Sequence, residues 1–331
     1  MEKVVLGLSG GVDSAVAARL LQEQGYEVYG LYLDIAGEQA RKDAKTVADT
    51  LGVTLEIADV RSEQEEKVCR PFVDAYLRGE TPNPCILCNP KVKFKTLLEY
   101  ADKIGAKYVS TGHYARAENG KLFKGRPEND QSYMLCRLTG AQAARLLLPL
   151  GPYKKEEVRA MAERFGLPVA HKAASMEICF IPDKNYAAYI ESRGVVPPEG
   201  NFVDGNGNIL GRHRGIHHYT IGQRRGLVAA GKPVFVAEIR PDTNEVVLSE
   251  GEALFTSELR AESVNWLDRP DGTFHADVRV RHSHALTPAL VNPQGGDALV
   301  QFDTPVRAPT RGQSAVFYVG DELMGGGFIA G

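Results

Sequence analysis

At 331 residues, 43% hydrophobic and 24% charged, the chain has ordinary globular composition and enough length for two or three domains. A formal net charge of −3 excludes a protein that holds nucleic acid through a global basic field, so any RNA contact must come from local patches. No stretch approaches 18 consecutive apolar residues, and the N-terminus enters a strand at once without a charged region and leader-like apolar core, which predicts a cytoplasmic protein with no membrane partner. Cys69, Cys85, Cys88, Cys136 and Cys179 are an odd number in a chain without a secretion signal, which disfavours a disulfide framework and favours metal or redox use.

The first element, Val4-Val5-Leu6-Gly7-Leu8, is short, apolar and β-branched, and predicts the buried central strand of a parallel sheet. It runs into Ser9-Gly10-Gly11-Val12-Asp13-Ser14, after which a helical pattern carried by Val16, Ala17, Leu20 and Leu21 extends from Ala15 to a stop at Gly25. Two glycines allow a sharp turn and a close backbone approach to a ligand, and a helix N-terminus favours an anion. Ser9 and Ser14 add hydroxyl donors. Asp13 would repel a bare phosphate and is expected to hold Mg²⁺. The loop lacks the Lys of G-x-x-x-x-G-K-[ST] and the spacing of G-x-G-x-x-G, so neither a Walker-type nor a dinucleotide fold fits. It resembles the S-G-G-x-D-S loop of the PP-loop ATP pyrophosphatases, a resemblance that implies cleavage of ATP to AMP and pyrophosphate in order to adenylate an oxygen.

Further strand patterns at Val28–Leu33, Thr54–Ala58 and Tyr108–Thr111 alternate with helical ones at Glu38–Leu51, Ser62–Arg78, Phe94–Ile104 and Lys154–Phe165, with Gly52, Gly79, Gly105 and Gly166 at helix ends. From about residue 190 the texture changes to short β-like runs broken by Gly, Pro and Asn, with a further break near Arg260. Alternation at Val278-Arg279-Val280-Arg281 and the run Ala315–Tyr318 then predict a second β unit. The pattern predicts an α/β doubly wound parallel sheet followed by two β units, and the resemblance implies that these are an adenine nucleotide alpha hydrolase-like domain, a small central β-rich domain and a C-terminal β-barrel. The predicted bounds are 1–185, 186–258 and 259–331.

A C-x-x-C, Cys85-Ile86-Leu87-Cys88, falls in what reads as a Pro-locked loop, Thr81-Pro82-Asn83-Pro84, and Cys179 lies far downstream. A structural zinc site would want four ligands, and no second pair exists. Two reactive cysteines, or three holding a cluster with one open position, suit sulfur handling. Cys69 and Cys136 read as small core residues. Lys91, Lys93 and Lys95 flank the cysteines, Arg212, Arg214, Arg224 and Arg225 crowd one β segment, and Arg279, Arg281 and His282 crowd another, as candidate phosphate contacts.

Gly7–Ser14, Thr81–Asn89 with Lys93-Phe94-Lys95, Thr111–Arg116, Asp130–Tyr133, Ile178–Ile181, Gly215–Gly226, Arg307–Tyr318 and Gly325–Gly327 together resemble the tRNA-specific 2-thiouridylase family over nearly the whole length. The resemblance implies ATP-dependent thiolation of a wobble uridine at C2. It implies an ATP site at Gly7, Leu8, Ser9, Gly10, Gly11, Val12, Asp13 and Ser14, with Leu33 and Gly112 flanking the adenosine. It places the target base at Asn83, Pro84 and Cys85, and the anticodon arm of tRNA at His113, Asn129, Asp130, Gln131, Arg281, His282 and Gln313. Family tRNA contacts include a Lys where this chain has Asn129. Cys88 matches the nucleophile and Cys179 the persulfide carrier. Some members carry Asp where this chain has Cys85, so the site gains a third thiol. Sulfur arrives either as a Cys179 persulfide resolved by Cys88, or as sulfide on a [4Fe-4S] cluster held by Cys85, Cys88 and Cys179. The donor would be a persulfide relay protein, a cysteine desulfurase or free sulfide. The rival readings are another PP-loop adenylating enzyme, such as a thiolase of a different tRNA position or an amide-forming ligase, and a non-catalytic RNA-binding module with a relic nucleotide loop.

Overall fold

The computed structural model describes residues 1–35, 37–173, 178–194, 196–228 and 233–330. The N-terminal half runs β1 (Lys3–Gly7), α1 (Val12–Glu23), β2 (Glu27–Asp34), α2 (Glu38–Leu51), β3 (Thr54–Asp59), α3 (Arg61–Gln64), α4 (Arg70–Leu77), α5 (Pro84–Cys88), α6 (Phe94–Ile104) and β4 (Tyr108–Ser110). It continues through β5 (Ala115–Glu118), β6 (Lys121–Lys124), α7 (Gly140–Ala143), β7 (Leu146–Leu147), α8 (Lys155–Arg164) and α9 (Tyr186–Glu191). The predicted parallel sheet is present, in the order β3-β2-β1-β4-β7 with every neighbour parallel. Val4, Val5 and Leu6 of β1 are fully buried, as a strand covered on both faces requires. Chain order reverses on either side of β1, so a crevice opens beyond the carboxyl ends of β1 and β4, where doubly wound sheets bind ligands. No helix among the described residues is long and apolar enough to cross a membrane.

The β-rich second half is also present. Strands β8 (Gly200–Val203), β9 (Ile209–His213), β10 (Phe235–Arg240) and β11 (Glu245–Ser249) form a four-stranded sheet in the order β10-β11-β8-β9. Then β12 (Phe255–Trp266), β13 (Phe274–Arg279), β14 (Thr287–Gln294), β15 (Asp297–Arg307), β16 (Ser314–Val319) and β17 (Glu322–Ile329) close on themselves, because β12 pairs with both β15 and β17. Closure removes the exposed edges that an open antiparallel sheet would present. One expectation needs correction, and one element went unpredicted. The predicted division after residue 258 cuts into β12, which starts at Phe255 directly after the 3-10 turn Gly251–Leu254. The β5–β6 hairpin, too rich in Lys, Arg and Glu to read as strand, extends the barrel sheet through the pairing of Phe123 with Glu322.

The halves are joined by buried polar contacts. Tyr133 Oη donates to Ser314 O at 2.9 Å, and the Asp130 carboxylate, which is 4% exposed, meets the Arg279 guanidinium at 3.0 Å. Asp130 also accepts from the Gly125 and Ser132 backbone N–H groups and the Ser132 hydroxyl. A buried charge with that many partners is stable in place, and strongly destabilising once one partner is removed.

Candidate active site

The phosphate-binding pattern is built more tightly than the sequence predicts. α1 starts at Val12 rather than Ala15, because Gly11 adopts an extended N-cap conformation (φ −100°, ψ 163°) and Ser14 Oγ donates back to Gly11 O at 3.1 Å. Ser9 N in turn donates to Ser14 Oγ at 3.2 Å, which folds the loop over the helix end. No side chain caps α1, so its first N–H groups point at open space. Gly10 has φ +72°, and a Cβ there would lie 2.6 Å from Ala40 O, so only glycine lets the loop pass α2. Gly112 sits where a Cβ would come within 2.9 Å of Ser14 N, which brings the end of β4 against the same helix turn.

Three cations surround this loop, from elements that no local motif singled out. Lys155 Nζ lies 3.7 Å from Asp13 Oδ2, Lys172 Nζ donates to Gly10 O at 3.0 Å and also pairs with Asp43, and Arg159 lines the same crevice one helical turn after Lys155. Asp13 Oδ1 accepts from Tyr114 Oη at 2.6 Å. Asp13 is the sole carboxylate among the described residues lining the crevice, which suits a Mg²⁺ ion that takes one carboxylate and completes its shell with phosphate oxygens and water.

At the other end, the cysteine pair lies on a helix rather than in a Pro-locked loop. Asn83 is the reason: its side-chain oxygen accepts from Cys85 N at 3.2 Å and Pro84 occupies the first helical turn, so a capped helix starts there. α5 passes through a π-helical turn, Asn89–Lys93, into α6, and a second π-helical turn, Glu65–Cys69, faces it between α3 and α4. Such turns recur at functional sites. The spacing of Cys85 and Cys88 puts both on one helix face. Cys88 is buried and its Sγ donates to Gln64 Oε1 at 3.4 Å, while Cys85 and Cys179 present surface. The Cys179 segment is anchored by Phe180, packed edge-on to Phe72 at 5.5 Å.

Although Cys85 and Cys179 keep exposed edges, desolvation of the sulfurs within the crevice pushes all three thiols above their ordinary value, Cys179 up to about 12, and the Lys93 ammonium is the charge that pulls each one back. Burial and the same ammonium hold His113 well below the usual histidine range, so the ring is neutral. His113 Nδ1 bonds Thr111 Oγ1 at 2.7 Å, and the ring stacks on Phe94. Among the described residues no three thiols converge within 4.8 Å, which is too spread for one mononuclear zinc but leaves donor type and number suited to a cluster.

One crevice of ≈ 570 Å³ therefore joins Gly7, Leu8, Ser9, Gly11, Val12, Asp13, Ser14, Leu33 and Gly112 with Pro84, Cys85, Cys88, His113, Gln131 and Cys179. The remaining residues expected at RNA are placed elsewhere. Asp130 is spent on Arg279, Asn129 donates to Tyr153 O at 3.4 Å, and His282 Nε2 lies 3.2 Å from Asp130 O. Arg281 Nη2 donates to Thr310 Oγ1 at 2.7 Å, and Gln313 Nε2 donates to Thr81 O at 2.6 Å, tying the barrel to the strand of chain that enters α5. The basic patches also separate: Lys95 pairs with Glu63 and Glu99, whereas Lys93 lines the crevice. The sequence reading missed Lys155, Arg159, Lys172 and Gln64; the Lys155/Arg159 spacing on a helix already predicted was the one signal available.

Residues 2–183 match the family described as tRNA methyl transferase HUP domain, residues 188–250 the tRNA methyl transferase PRC-barrel domain, and residues 256–329 the aminomethyltransferase beta-barrel domain. A tRNA-specific 2-thiouridylase MnmA of Carboxydothermus hydrogenoformans is 46% identical over 99% of this chain and 97% of its own length. Those of Lachnoclostridium phytofermentans, at 44% over 99% of each chain, and Caldanaerobacter subterraneus, at 43% over 99% of this chain and 97% of its own, are similar at the same scale.

Proposed function

The chain belongs to the tRNA-specific 2-thiouridylase family, and from that premise we propose that it is a tRNA sulfurtransferase that uses ATP to replace the C2 oxygen of the wobble uridine with sulfur. The observation that carries the reading is the shared crevice: an uncapped helix N-terminus ringed by cations opens on the same space as three thiols. An ATP-splitting enzyme without sulfur chemistry has no use for the second half of that arrangement, and a passive RNA-binding module has no use for the first.

A uracil C2 carbonyl is a poor electrophile with no leaving group. The C2 oxygen therefore attacks the ATP α-phosphorus, pyrophosphate departs toward the α1 N–H groups and the Lys155, Arg159 and Lys172 side chains, and the oxygen becomes an adenylate. Asp13 would hold Mg²⁺ against the phosphates, which supplies further positive charge to the leaving group. Leu33 and Gly112 flank the adenosine. In the persulfide route the terminal sulfur of Cys179 bonds to C2 and AMP leaves. The Cys88 thiolate then attacks Cys179 Sγ, releasing the thiocarbonyl and leaving a Cys88–Cys179 disulfide that an external dithiol reduces. Lys93 is the residue that draws each thiol toward its reactive form. In the second route Cys85, Cys88 and Cys179 would hold a [4Fe-4S] cluster, which when bound supplies an open iron for sulfide; the third thiol favours this route.

Asn83, Pro84 and Cys85 meet the target base, and His113, Asn129, Gln131, Arg281, His282 and Gln313 face the anticodon arm, with Asp130 holding Arg279 and its own turn in position. His113, being neutral, acts there by hydrogen bonding or stacking rather than as a phosphate partner. Residues 1–185 supply catalysis, and the central and barrel units, with their seam moved forward to the start of β12, supply the tRNA grip. Sulfur comes from a persulfide relay protein, a cysteine desulfurase or free sulfide, and free cysteines throughout suit the reducing cytoplasm.

The test is 2-thiouridine formation on unmodified tRNA with ATP, Mg²⁺ and sulfide, comparing anaerobically iron-loaded protein with an iron-free preparation given a persulfide donor. Activity of the iron-loaded sample alone supports the cluster route. Activity of the iron-free sample supports the Cys88–Cys179 relay. Absence of thiolation and of ATP-dependent pyrophosphate release in both overturns the function.

A further inference from the structure

The His217-His218 pair, prominent in the sequence and unused by the sulfur chemistry, meets Glu191 away from the crevice. Glu191 is the last residue of α9, and the two histidines form the 3-10 turn Ile216–His218. His217 Nε2 lies 3.2 Å and His218 Nε2 3.1 Å from Glu191 Oε1, and the ligand atoms of all three residues fall within 4.8 Å of one another. For metal–ligand bonds of about 2.0 Å, the edge of a tetrahedron is about 3.3 Å, so each histidine nitrogen already stands from the carboxylate oxygen at the separation that a bound ion would impose. His217 is fully buried, while Glu191 and His218 are partly exposed and leave an open side for entry and for a water ligand.

Two further observations describe how the His217 ring sits. His217 Nδ1 is buried with no hydrogen-bond partner, so Nε2, 3.2 Å from Glu191 Oε1, is the one ring nitrogen with a partner, and the proton shared there is what a metal ion would displace. Gly215 also leaves room: a Cβ there would meet His217 Cε1 at 2.7 Å, so the turn accommodates the inward ring only with glycine.

We propose that Glu191, His217 and His218 form a binding site for a divalent late first-row metal ion of the Zn²⁺ kind, with two imidazole nitrogens, one carboxylate oxygen and water as ligands. Two nitrogens exclude the oxygen-preferring Mg²⁺ and Ca²⁺. Glu191 is the only anion in the set and Arg214 lies near enough to oppose a cation at His218, so the site is exchangeable rather than permanently loaded. The ion clamps the end of α9 onto the central sheet unit. That helix follows the Cys179 segment and packs against it through Tyr189 and Phe180, so the clamp steadies the wall that carries Cys179.

The experiment titrates Co²⁺ into chelator-stripped full-length protein, with Cys85→Ser/Cys88→Ser/Cys179→Ser protein in parallel so that thiol binding is separated. Expected is one equivalent per chain in both proteins, without thiolate charge-transfer absorption, and displacement by Zn²⁺. Glu191→Gln and His218→Gln, both at partly exposed positions, should each weaken binding at least about tenfold and remove the rise in melting temperature that Zn²⁺ produces in the parent. Absence of Co²⁺ binding in the triple-serine protein, or affinity unchanged in both Glu191→Gln and His218→Gln, overturns the site. His217→Gln removes the buried ligand, but the two exposed variants decide the matter even where it does not fold.

Discussion

The two ends of the crevice handle charge in opposite ways. The phosphate end gathers Lys155, Arg159 and Lys172 around an uncapped helix terminus, and no described carboxylate pairs with Arg159. The thiol end desolvates Cys85, Cys88, Cys179 and a neutral His113, and leaves Lys93 as the main counterweight. The difference matches what the proposed chemistry asks of each end: a polyanion needs charge already in place, whereas thiols that are to accept and release sulfur need to stay protonated until substrate arrives.

The sharpest break of that division removes the thiols alone. Cys88→Ala and Cys179→Ala should each lower 2-thiouridine formation by about 10³-fold or more while tRNA affinity, read by filter binding, stays within about twofold. On the opposite side, Asp13→Ala should cut ATP-dependent pyrophosphate release by roughly 100-fold, with thiol alkylation by iodoacetamide unchanged; normal release would remove Asp13 from the chemistry.

Arg159→Ala should be milder, raising the KM for ATP about tenfold and leaving the thiol end untouched. An Arg159→Ala enzyme with ordinary ATP kinetics would show that this guanidinium serves something other than phosphate. Lys93→Met sharpens the comparison from the thiol side. Because Lys93 lowers thiols that burial has raised, its removal moves them further up, so the pH profile of Cys88 alkylation shifts to higher pH and the rate at pH 7.5 falls several-fold. The same loss lets His113 titrate at a higher pH than in the parent. Smallest for catalysis, though not for folding, is Asp130→Ala: by stranding Arg279 it should cost about 3–5 kcal/mol in denaturant unfolding.

Much of the fold was legible because it is written in short windows. The runs Glu38–Leu51 and Phe94–Ile104 carry their own periodicity and terminal glycines, and both helices have those bounds. The β5–β6 hairpin was not legible, since Lys121–Lys124 and Ala115–Glu118 carry charges that argue against strand and pair only because β17 offers an edge. The cysteine helix was misread as a loop because Pro82 and Pro84 look like breakers, and the single contact that reverses this is the Asn83 cap.

Local pattern alone established the parallel sheet and the β-rich second half, and it marked the candidate phosphate loop and the thiols. Tertiary structure decided which charges face them. Lys155, Arg159 and Lys172 reach the loop, Gln64 reaches Cys88, and Glu191 reaches His217 and His218 only after the chain has folded, since each pairing joins segments separated by many residues. Turn and helix signals act through neighbours in the chain, whereas desolvation and Coulomb attraction act through space, so the sequence names the reactive groups and the fold sets their protonation and partners.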